Sequence, residues 1–179
     1  MKYPTIFNLI ADVFKKTGVS GVLIGGFAVN CYKVTRHTGD IDFLVTDEAY
    51  KKLLPLFRKS GFRERARAKV CARLETAKGY LTDIDFVFVD QKTFDSIAAD
   101  GKKIKVAGET FPVPSLEHLI ALKLHAIKNH FETRQFKDLP DIVNLIRENK
   151  MNIRSLRFRQ LCLKYGSQAL YDRIISGVG

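Results

Sequence analysis

The feature that most constrains this chain is a pair of glycines directly after a buried strand, followed by two aspartates at the start of another strand. Residues 22–24 form a short unbroken apolar run, typical of a strand that is buried on both faces, and Gly25 and Gly26 end it. Residues 27–33 predict a short helix, and residues 40–45 predict the next strand. Because residues i and i+2 of a strand project from the same face, we expect the carboxylates of Asp40 and Asp42 to lie side by side, with Cα atoms about 7 Å apart.

A third carboxylate is offered by a later predicted strand, residues 81–89, which carries Asp83 and Asp85. Asp85 is the preferred candidate because it opens the most apolar stretch of that strand, but Asp83 shares its face and periodicity does not separate the two. Three carboxylates packed together repel one another, and a divalent cation removes that cost. Carboxylate oxygens are ligands that suit Mg²⁺ or Mn²⁺. The sequence therefore predicts a catalytic metal site at Asp40, Asp42 and Asp85.

The glycines and the connector before the aspartates carry features suited to phosphate. Gly25 and Gly26 permit a tight turn and a close approach of backbone amides to a ligand. The helix after them offers unpaired N–H groups and a positive dipole end. Arg36 and Thr38 supply a charged donor and a hydroxyl donor just before the carboxylates. We expect these residues to hold the triphosphate of an NTP.

The composition limits the classes of partner. Among 179 residues, hydrophobic residues make up 46% and charged residues 27%, a balance typical of a folded globular chain. The net charge of +11 favours polyanions such as nucleotides, RNA, DNA or anionic lipid, although a simple solubility surplus is the alternative reading. The three cysteines are far apart and show no zinc spacing. No apolar run reaches the roughly 18–20 residues that cross a bilayer, and the start lacks signal-peptide features, so we expect a cytoplasmic protein without a membrane partner.

The remaining pattern divides into a mixed first part and a helical second part. Helices are predicted over residues 5–16 and 47–59, with Asp47 as the N-cap of the second, a strand over 70–74, and a β-hairpin over 103–113. From residue 114 the periodicity is helical nearly to the end, with Ser115 as an N-cap. We therefore predict an α+β fold with a mixed α/β core over residues 1–113 and a helical region over residues 114–179.

These motifs resemble those of the polymerase-β-like nucleotidyltransferase superfamily. Residues 23–28, Leu-Ile-Gly-Gly-Phe-Ala, and residues 36–43, Arg-His-Thr-Gly-Asp-Ile-Asp-Phe, resemble its signature of a diglycine followed by an aspartate pair, and the spacing fits. Within the superfamily the chain looks most similar to the AbiEii/AbiGii-type toxin branch of minimal nucleotidyltransferases. Residues 112–119, Lys123 with Ala126, and the Lys-Asp-x-x-Asp pattern at 137–141 carry that placement. The resemblance covers roughly residues 6–146.

The resemblance implies a fold, a reaction and roles for residues. The fold is a mixed sheet flanked by helices and followed by a C-terminal helical bundle. The reaction transfers a nucleoside monophosphate from an NTP to an acceptor hydroxyl and releases pyrophosphate, with Asp40, Asp42 and Asp85 binding two Mg²⁺ ions and the third acid also serving as the base. Gly25 and Gly26 hold the β- and γ-phosphates, and Lys123 neutralises the triphosphate.

Two of these residues have alternative roles. Lys123 fits equally well as a surface lysine whose stem lies along an amphipathic helix. Asp138 fits as a helix N-cap with Pro140 in the first turn, a role that does not exclude a place in the site.

The resembled branch also implies partners. It implies a toxin that acts on RNA, tRNA or protein and an acidic antitoxin as partner. A basic C-terminal stretch offers phosphate contacts for an RNA acceptor, with a solvated helix face as the alternative; its cations are Arg154, Arg157, Arg159, Lys164 and Arg173.

Two other functions compete with the transferase. One is a catalytically silent module of the same fold that binds only nucleotide or antitoxin. The other is a metal-dependent nuclease, suggested by Asp85 followed by Asp90-Gln91-Lys92, but it leaves the diglycine and Asp40 with Asp42 unexplained.

Overall fold

Two aspartate-bearing strands lie next to each other in a five-stranded mixed sheet. The computed structural model describes residues 3–76 and 81–178. The strands of the main sheet have the spatial order β1-β2-β5-β4-β3; their bounds are β1 (Val22–Leu23), β2 (Ile41–Val45), β3 (Phe62–Arg67), β4 (Cys71–Thr76) and β5 (Ile84–Phe88). Strands β2 and β5 are parallel, whereas the other neighbouring pairs are antiparallel. This parallel pairing sets Asp42 directly opposite Asp85.

Alternation along β2 and β5 places Phe43 and Phe86 on the face opposite to Asp42 and Asp85. Phe43 and Phe86 are also opposite each other and are fully buried, with ring centroids 6.4 Å apart. Phe43 further packs edge-on against Phe14 at 5.1 Å and against the tilted ring of Phe111 at 5.6 Å between centroids. Since successive side chains of a strand point to opposite faces, burial of these rings directs the neighbouring aspartates away from this aromatic core.

The helices and the small hairpin complete the first of two compact units, which is drawn from residues 1–28 and 37–114. Its helices are α1 (Ile6–Thr17), α2 (Gly25–Asn30, whose last two residues are assigned to the second unit), α3 (Asp47–Lys59) and α4 (Gln91–Ala99). The strands β6 (Lys102–Val106) and β7 (Glu109–Val113) form an antiparallel hairpin. Thr5 caps α1 and Gly18 ends it in the left-handed conformation. The predicted helix and hairpin are both present, with bounds within one residue of the prediction.

The second compact unit is helical and is drawn from residues 29–36 and 115–179. Its helices are α5 (Leu116–Asn129), α6 (Phe131–Glu148), α7 (Leu156–Tyr165) and α8 (Gln168–Val178). Ser115 caps α5 as expected, by accepting the backbone N–H of His118. Leu124, Ile142, Leu145 and Ile174 are fully buried in its core. The predicted fold class, a mixed sheet with flanking helices followed by a helical bundle, is confirmed, whereas the division into domains at residues 113 and 114 stays a prediction.

Several local expectations are wrong for identifiable reasons. Thr46, not Asp47, is the N-cap of α3, because its extended backbone lets its hydroxyl accept the N–H of Ala49, which leaves Asp47 in the first turn. Gly25 and Gly26 are the first residues of α2 rather than a turn before it. Asp138 is not an N-cap, because α6 begins at Phe131 and continues through Pro140.

Two elements, β3 and α4, were not predicted. Among the described helices, none has the length and apolar character required to cross a bilayer.

Candidate functional site

Three carboxylates converge at one end of the parallel strand pair. One oxygen from each of Asp40, Asp42 and Asp85 lies within 4.8 Å of the others, and all three residues are half-buried. Asp42 and Asp85 are opposite each other in register, and Asp40 directly precedes β2 on the face that Asp42 shares. We call these residues the acidic triad. Its donor set consists of carboxylate oxygens alone, which fits a hard divalent cation such as Mg²⁺ or Mn²⁺.

The diglycine makes room for the triad. A Cβ atom on Gly25 would lie 1.9 Å from Oδ2 of Asp42, far inside van der Waals contact, and Gly25 has a φ of +63°. A Cβ on Gly26 would lie 2.6 Å from the Cβ of Thr38. Both positions therefore require glycine because a side chain would displace a neighbour, and Gly25 additionally because of its left-handed backbone.

Thr38 is part of the same arrangement. Its hydroxyl lies 3.0 Å from Oδ1 of Asp40 and 3.0 Å from the carbonyl oxygen of Asp40. The hydroxyl can donate to either oxygen, and both contacts fix the first carboxylate of the triad relative to the connector. The proposed contact of Thr38 with a triphosphate stays a prediction.

An arginine that sequence reasoning missed lies beside the triad. Arg73 stands directly opposite Asp85 in the antiparallel β4–β5 register. Its Nη1 donates to Oδ2 of Asp85 at 3.1 Å, and its Nη2 donates to Oδ2 of Asp83 at 3.0 Å. The hydrogen bond with Asp83, with the charges of the nearby carboxylates, raises the pKa of Arg73 against the opposing effect of burial. Arg73 is thus a permanent positive charge next to the triad.

Asp83 and Asp85 have different places in the structure. Asp85 belongs to the acidic triad, whereas Asp83 precedes β5, accepts the guanidinium of Arg73, and lies 3.4 Å from the backbone N–H of Thr76. The geometry therefore favours Asp85 as the third ligand, the residue preferred from the sequence.

The second unit contains a buried cluster of charges. Nζ of Lys123 donates to Oδ1 of Asp138 at 2.8 Å and to Oδ2 of Asp141 at 2.6 Å. The three residues are 6%, 3% and 5% exposed, respectively. Nη1 of Arg36 lies 3.2 Å from the same Oδ2 of Asp141. Lys123 is therefore not a surface lysine, and both cations assigned to the triphosphate are ion-paired with carboxylates of α6.

One atom of this cluster has no hydrogen-bond partner. Oδ2 of Asp138 is buried and accepts no hydrogen bond within the described part of the chain, and Nη1 of Arg134 approaches it only to 3.8 Å. A buried carboxylate oxygen without a donor is unfavourable, so it can accept a hydrogen bond from a ligand or water. Asp141, which supplies the shared oxygen, was not among the predicted site residues; its i+3 spacing from Asp138 was the available signal.

The basic residues near the C-terminus are at the surface, whereas the aromatic residues between them are buried (Phe158) or half-buried (Tyr165 and Tyr171). The exposed cations are Arg154, Arg157, Arg159, Lys164 and Arg173. Arg157 pairs with Glu117 at 2.6 Å, and Phe158 is buried against Tyr171. The exposed aromatic side chains of this unit are instead on α6, where Phe136 is 78% exposed.

A family comparison covers almost the whole chain. The sequence profile of a family described as "Uncharacterised nucleotidyltransferase" matches residues 5–175. A search of curated proteins gives no match.

Solved structures share the fold at low sequence identity. The solution structure of the antibiotic-resistance factor ANT(2'')-Ia is 14% identical, with a TM-score of 0.58 over 96% of this chain and 88% of that one. A crystal structure of ANT(2'')-Ia with adenylyl-2''-tobramycin is 16% identical, with a TM-score of 0.55 over 97% of both chains. The lincosamide antibiotic adenylyltransferase LnuA, bound to lincomycin, is 18% identical, with a TM-score of 0.50 over 76% of this chain and 91% of that one. These likenesses establish the fold.

The close approach of Gly25 to Asp42 gives a first prediction. Gly25→Ala places a methyl group against the Asp42 carboxylate, so we expect Mn²⁺ affinity, measured from the electron paramagnetic resonance signal of free Mn²⁺, to fall by at least about tenfold. Gly39→Ala is the matched control, since no heavy atom would lie within 4 Å of its new Cβ, and its affinity should stay within about twofold. Equal Mn²⁺ affinity in the two folded variants would contradict this role of Gly25.

The buried cluster gives a second prediction. Lys123→Met leaves Asp138 and Asp141 buried with less positive charge, so the free energy of unfolding, measured in urea, should fall by about 3–5 kcal/mol. Lys128→Met removes an exposed lysine from the same helix and should change it by no more than about 0.5 kcal/mol. A loss below about 1 kcal/mol in Lys123→Met would show that the buried pairs do not stabilise the helical unit.

Proposed function

The chain belongs to the family described as uncharacterised nucleotidyltransferases, and from this premise we propose that it is an active, divalent-cation-dependent enzyme that transfers a nucleoside monophosphate from an NTP to an acceptor hydroxyl. The observation that carries the proposal is the acidic triad, in which three carboxylate oxygens lie within 4.8 Å of one another. Such a cluster is unfavourable without a cation. The diglycine makes room for it, because a side chain at either glycine would clash with Asp42 or Thr38.

The acidic triad would bind the cation, and one of its carboxylates would take the proton of the acceptor hydroxyl. Asp40, Asp42 and Asp85 are the ligands, and bound Mg²⁺ or Mn²⁺ would supply charge neutralisation and lower the pKa of a coordinated hydroxyl. The acceptor oxygen forms a bond to the α-phosphorus while the bond from that phosphorus to the bridging oxygen breaks, which releases pyrophosphate. Asp85 receives the proton of the acceptor hydroxyl.

The phosphates of the NTP would be held beside the acidic triad. Gly25, Gly26 and Thr38 lie next to the triad and would contact the phosphates. The motifs also assign Arg36, Lys123 and Asp138 of the second unit to nucleotide binding, and there the unpartnered oxygen of Asp138 offers a hydrogen-bond acceptor. For Arg36 and Lys123 this requires that their ion pairs with Asp141 be shared with, or exchanged for, phosphate oxygens.

The acceptor that the charge of the chain favours is RNA. The net charge is +11, and the exposed arginines and lysines of the C-terminal helices suit a phosphate backbone. Two of the structural neighbours are complexes with small molecules, ANT(2'')-Ia with adenylyl-2''-tobramycin and LnuA with lincomycin, so a small hydroxylated acceptor is the second candidate. Membership of the AbiEii/AbiGii-type branch, a toxin role and an acidic antitoxin partner are further parts of this proposal, supported by the motifs and the charge.

The transfer reaction is tested with labelled nucleotides. The full chain is incubated with Mg²⁺, total RNA and each NTP carrying ³²P at either the α or the γ position; the proposal expects transfer of the α label alone, together with release of pyrophosphate. Asp42→Asn and Asp85→Asn should lower the rate by at least about a hundredfold, because each removes an anionic ligand. EDTA should abolish transfer.

The matched control for this experiment is Asp95→Asn, which changes an exposed aspartate on α4. Its rate should equal that of the wild type. The proposal fails if Asp42→Asn labels the acceptor as fast as Asp95→Asn does. Calorimetric binding of NTP with Mg²⁺, without transfer to any acceptor, would favour the silent binding module, and shortening of the RNA would favour the nuclease.

The choice of acceptor gives a separate prediction. If RNA is the acceptor, the label becomes soluble on nuclease treatment, and Arg154→Gln with Arg159→Gln raises the KM for RNA severalfold without changing the KM for NTP. Lys52→Gln with Lys92→Gln removes the same charge from exposed positions on α3 and α4 and serves as the control. An equal effect of the two pairs would indicate that only net charge matters, and label resistant to nuclease would favour a small-molecule or protein acceptor.

A further inference from the structure

We propose that Arg73 is a positioning residue that orients the carboxylate of Asp85 and limits the affinity of the acidic triad for divalent cations; this inference rests on the proposed function in so far as the triad binds a cation. The carrying observation is a single guanidinium whose two terminal nitrogens contact two different carboxylates, at 3.1 Å for Asp85 and 3.0 Å for Asp83.

The backbone brings the three side chains together. Arg73 lies opposite Asp85 in the β4–β5 ladder, and Asp83 is two residues before Asp85 on the same chain segment. Arginine suits this arrangement because its terminal nitrogens have fixed positions in a planar group, whereas a lysine ammonium is a single point. Loss of the fork would remove the hydrogen bond that holds Oδ2 of Asp85, while the β5 backbone keeps its register.

The two aspartates therefore have separate tasks. Asp83 anchors Arg73 from outside the triad, and Arg73 in turn occupies Oδ2 of Asp85. This explains why β5 is preceded by a second aspartate that the triad does not include.

The charge of Arg73 also acts on the triad as a whole. The triad carries three carboxylates in a small space, and one positive charge in hydrogen-bond contact with Asp85 lowers their mutual repulsion. The same charge repels an incoming cation. Arg73 therefore weakens cation binding but fixes the orientation of Asp85. Its removal should tighten cation binding and slow the reaction.

The contact differs from an ordinary surface ion pair in what its loss should change. The Arg73 side chain is 40% exposed, and pairs that exposed contribute little to stability. We therefore expect the variants of Arg73 to fold, with unfolding temperatures close to that of the wild type, so that effects on cation affinity and turnover can be read separately.

The test measures Mn²⁺ binding by electron paramagnetic resonance on the full chain without nucleotide, and then kcat and KM for transfer. In Arg73→Gln the dissociation constant for Mn²⁺ should fall about fivefold, because a unit positive charge is removed near the site. In Arg73→Lys the charge remains and the dissociation constant should stay within about twofold. In both variants kcat should fall at least about tenfold with little change in the KM for NTP, because Asp85 loses its fork.

Arg63→Gln is the matched control, since it removes an exposed arginine from the neighbouring strand β3, and it should match the wild type in both measurements. Unchanged or weaker Mn²⁺ binding in Arg73→Gln overturns the effect on affinity, and a wild-type kcat in Arg73→Lys overturns the positioning role. A wild-type chain that binds no Mn²⁺ overturns this inference and the proposed metal site together. A chain that binds Mn²⁺ but transfers no nucleotide overturns the proposed function, and the inference is then decided on the Mn²⁺ affinities alone.

Discussion

The parallel pairing of β2 with β5 is the constraint on which the candidate site depends. It sets Asp42 opposite Asp85, and alternation along both strands buries Phe43 and Phe86 on the other face. A shift of one residue in this register would bury a carboxylate and expose a ring, so the aromatic core holds the acidic face in place. Hydrophobic packing therefore holds the three carboxylates close together, and Arg73 lowers the repulsion between them.

The acidic clusters of the two units are neutralised by different cations, a partly exposed arginine in the first unit and a buried lysine in the second. In the first unit, Arg73 contacts Asp83 and Asp85 from a partly exposed position, where solvent weakens the interaction and leaves room for exchange. In the second unit, Lys123 lies between Asp138 and Asp141 with almost no exposure, so that removal of any partner leaves an uncompensated buried charge. The first arrangement suits a site that exchanges ligands readily, whereas a ligand of the second would have to share or replace buried ion pairs.

The sequence was sufficient where local chemistry decides the structure and insufficient where register does. The spacing of apolar and turn residues predicts the apolar strands, the hairpin and the cap at Ser115. It also predicts that the triad residues lie on neighbouring strands. It missed β3, because that segment alternates charged residues and buries only Phe62, so it carries no apolar period. Arg73 was missed because its link to Asp85 exists only through strand pairing. Pro140 favours a helix that starts near Asp138, but α6 starts at Phe131 and contains Pro140 in its interior.

The connector between α2 and β2 joins the two charge clusters through the chain itself. Arg36 pairs with Asp141 of the helical unit, and two residues later Thr38 contacts Asp40 of the acidic triad. Asn30 fixes the start of this connector, because its side chain accepts the N–H of Arg36 and donates to the carbonyl of Arg36. These backbone restraints keep the connector ordered between the two contacts. Since Thr38 also packs where a Cβ on Gly26 would lie, the diglycine leaves space for that threonine to keep its contact with Asp40.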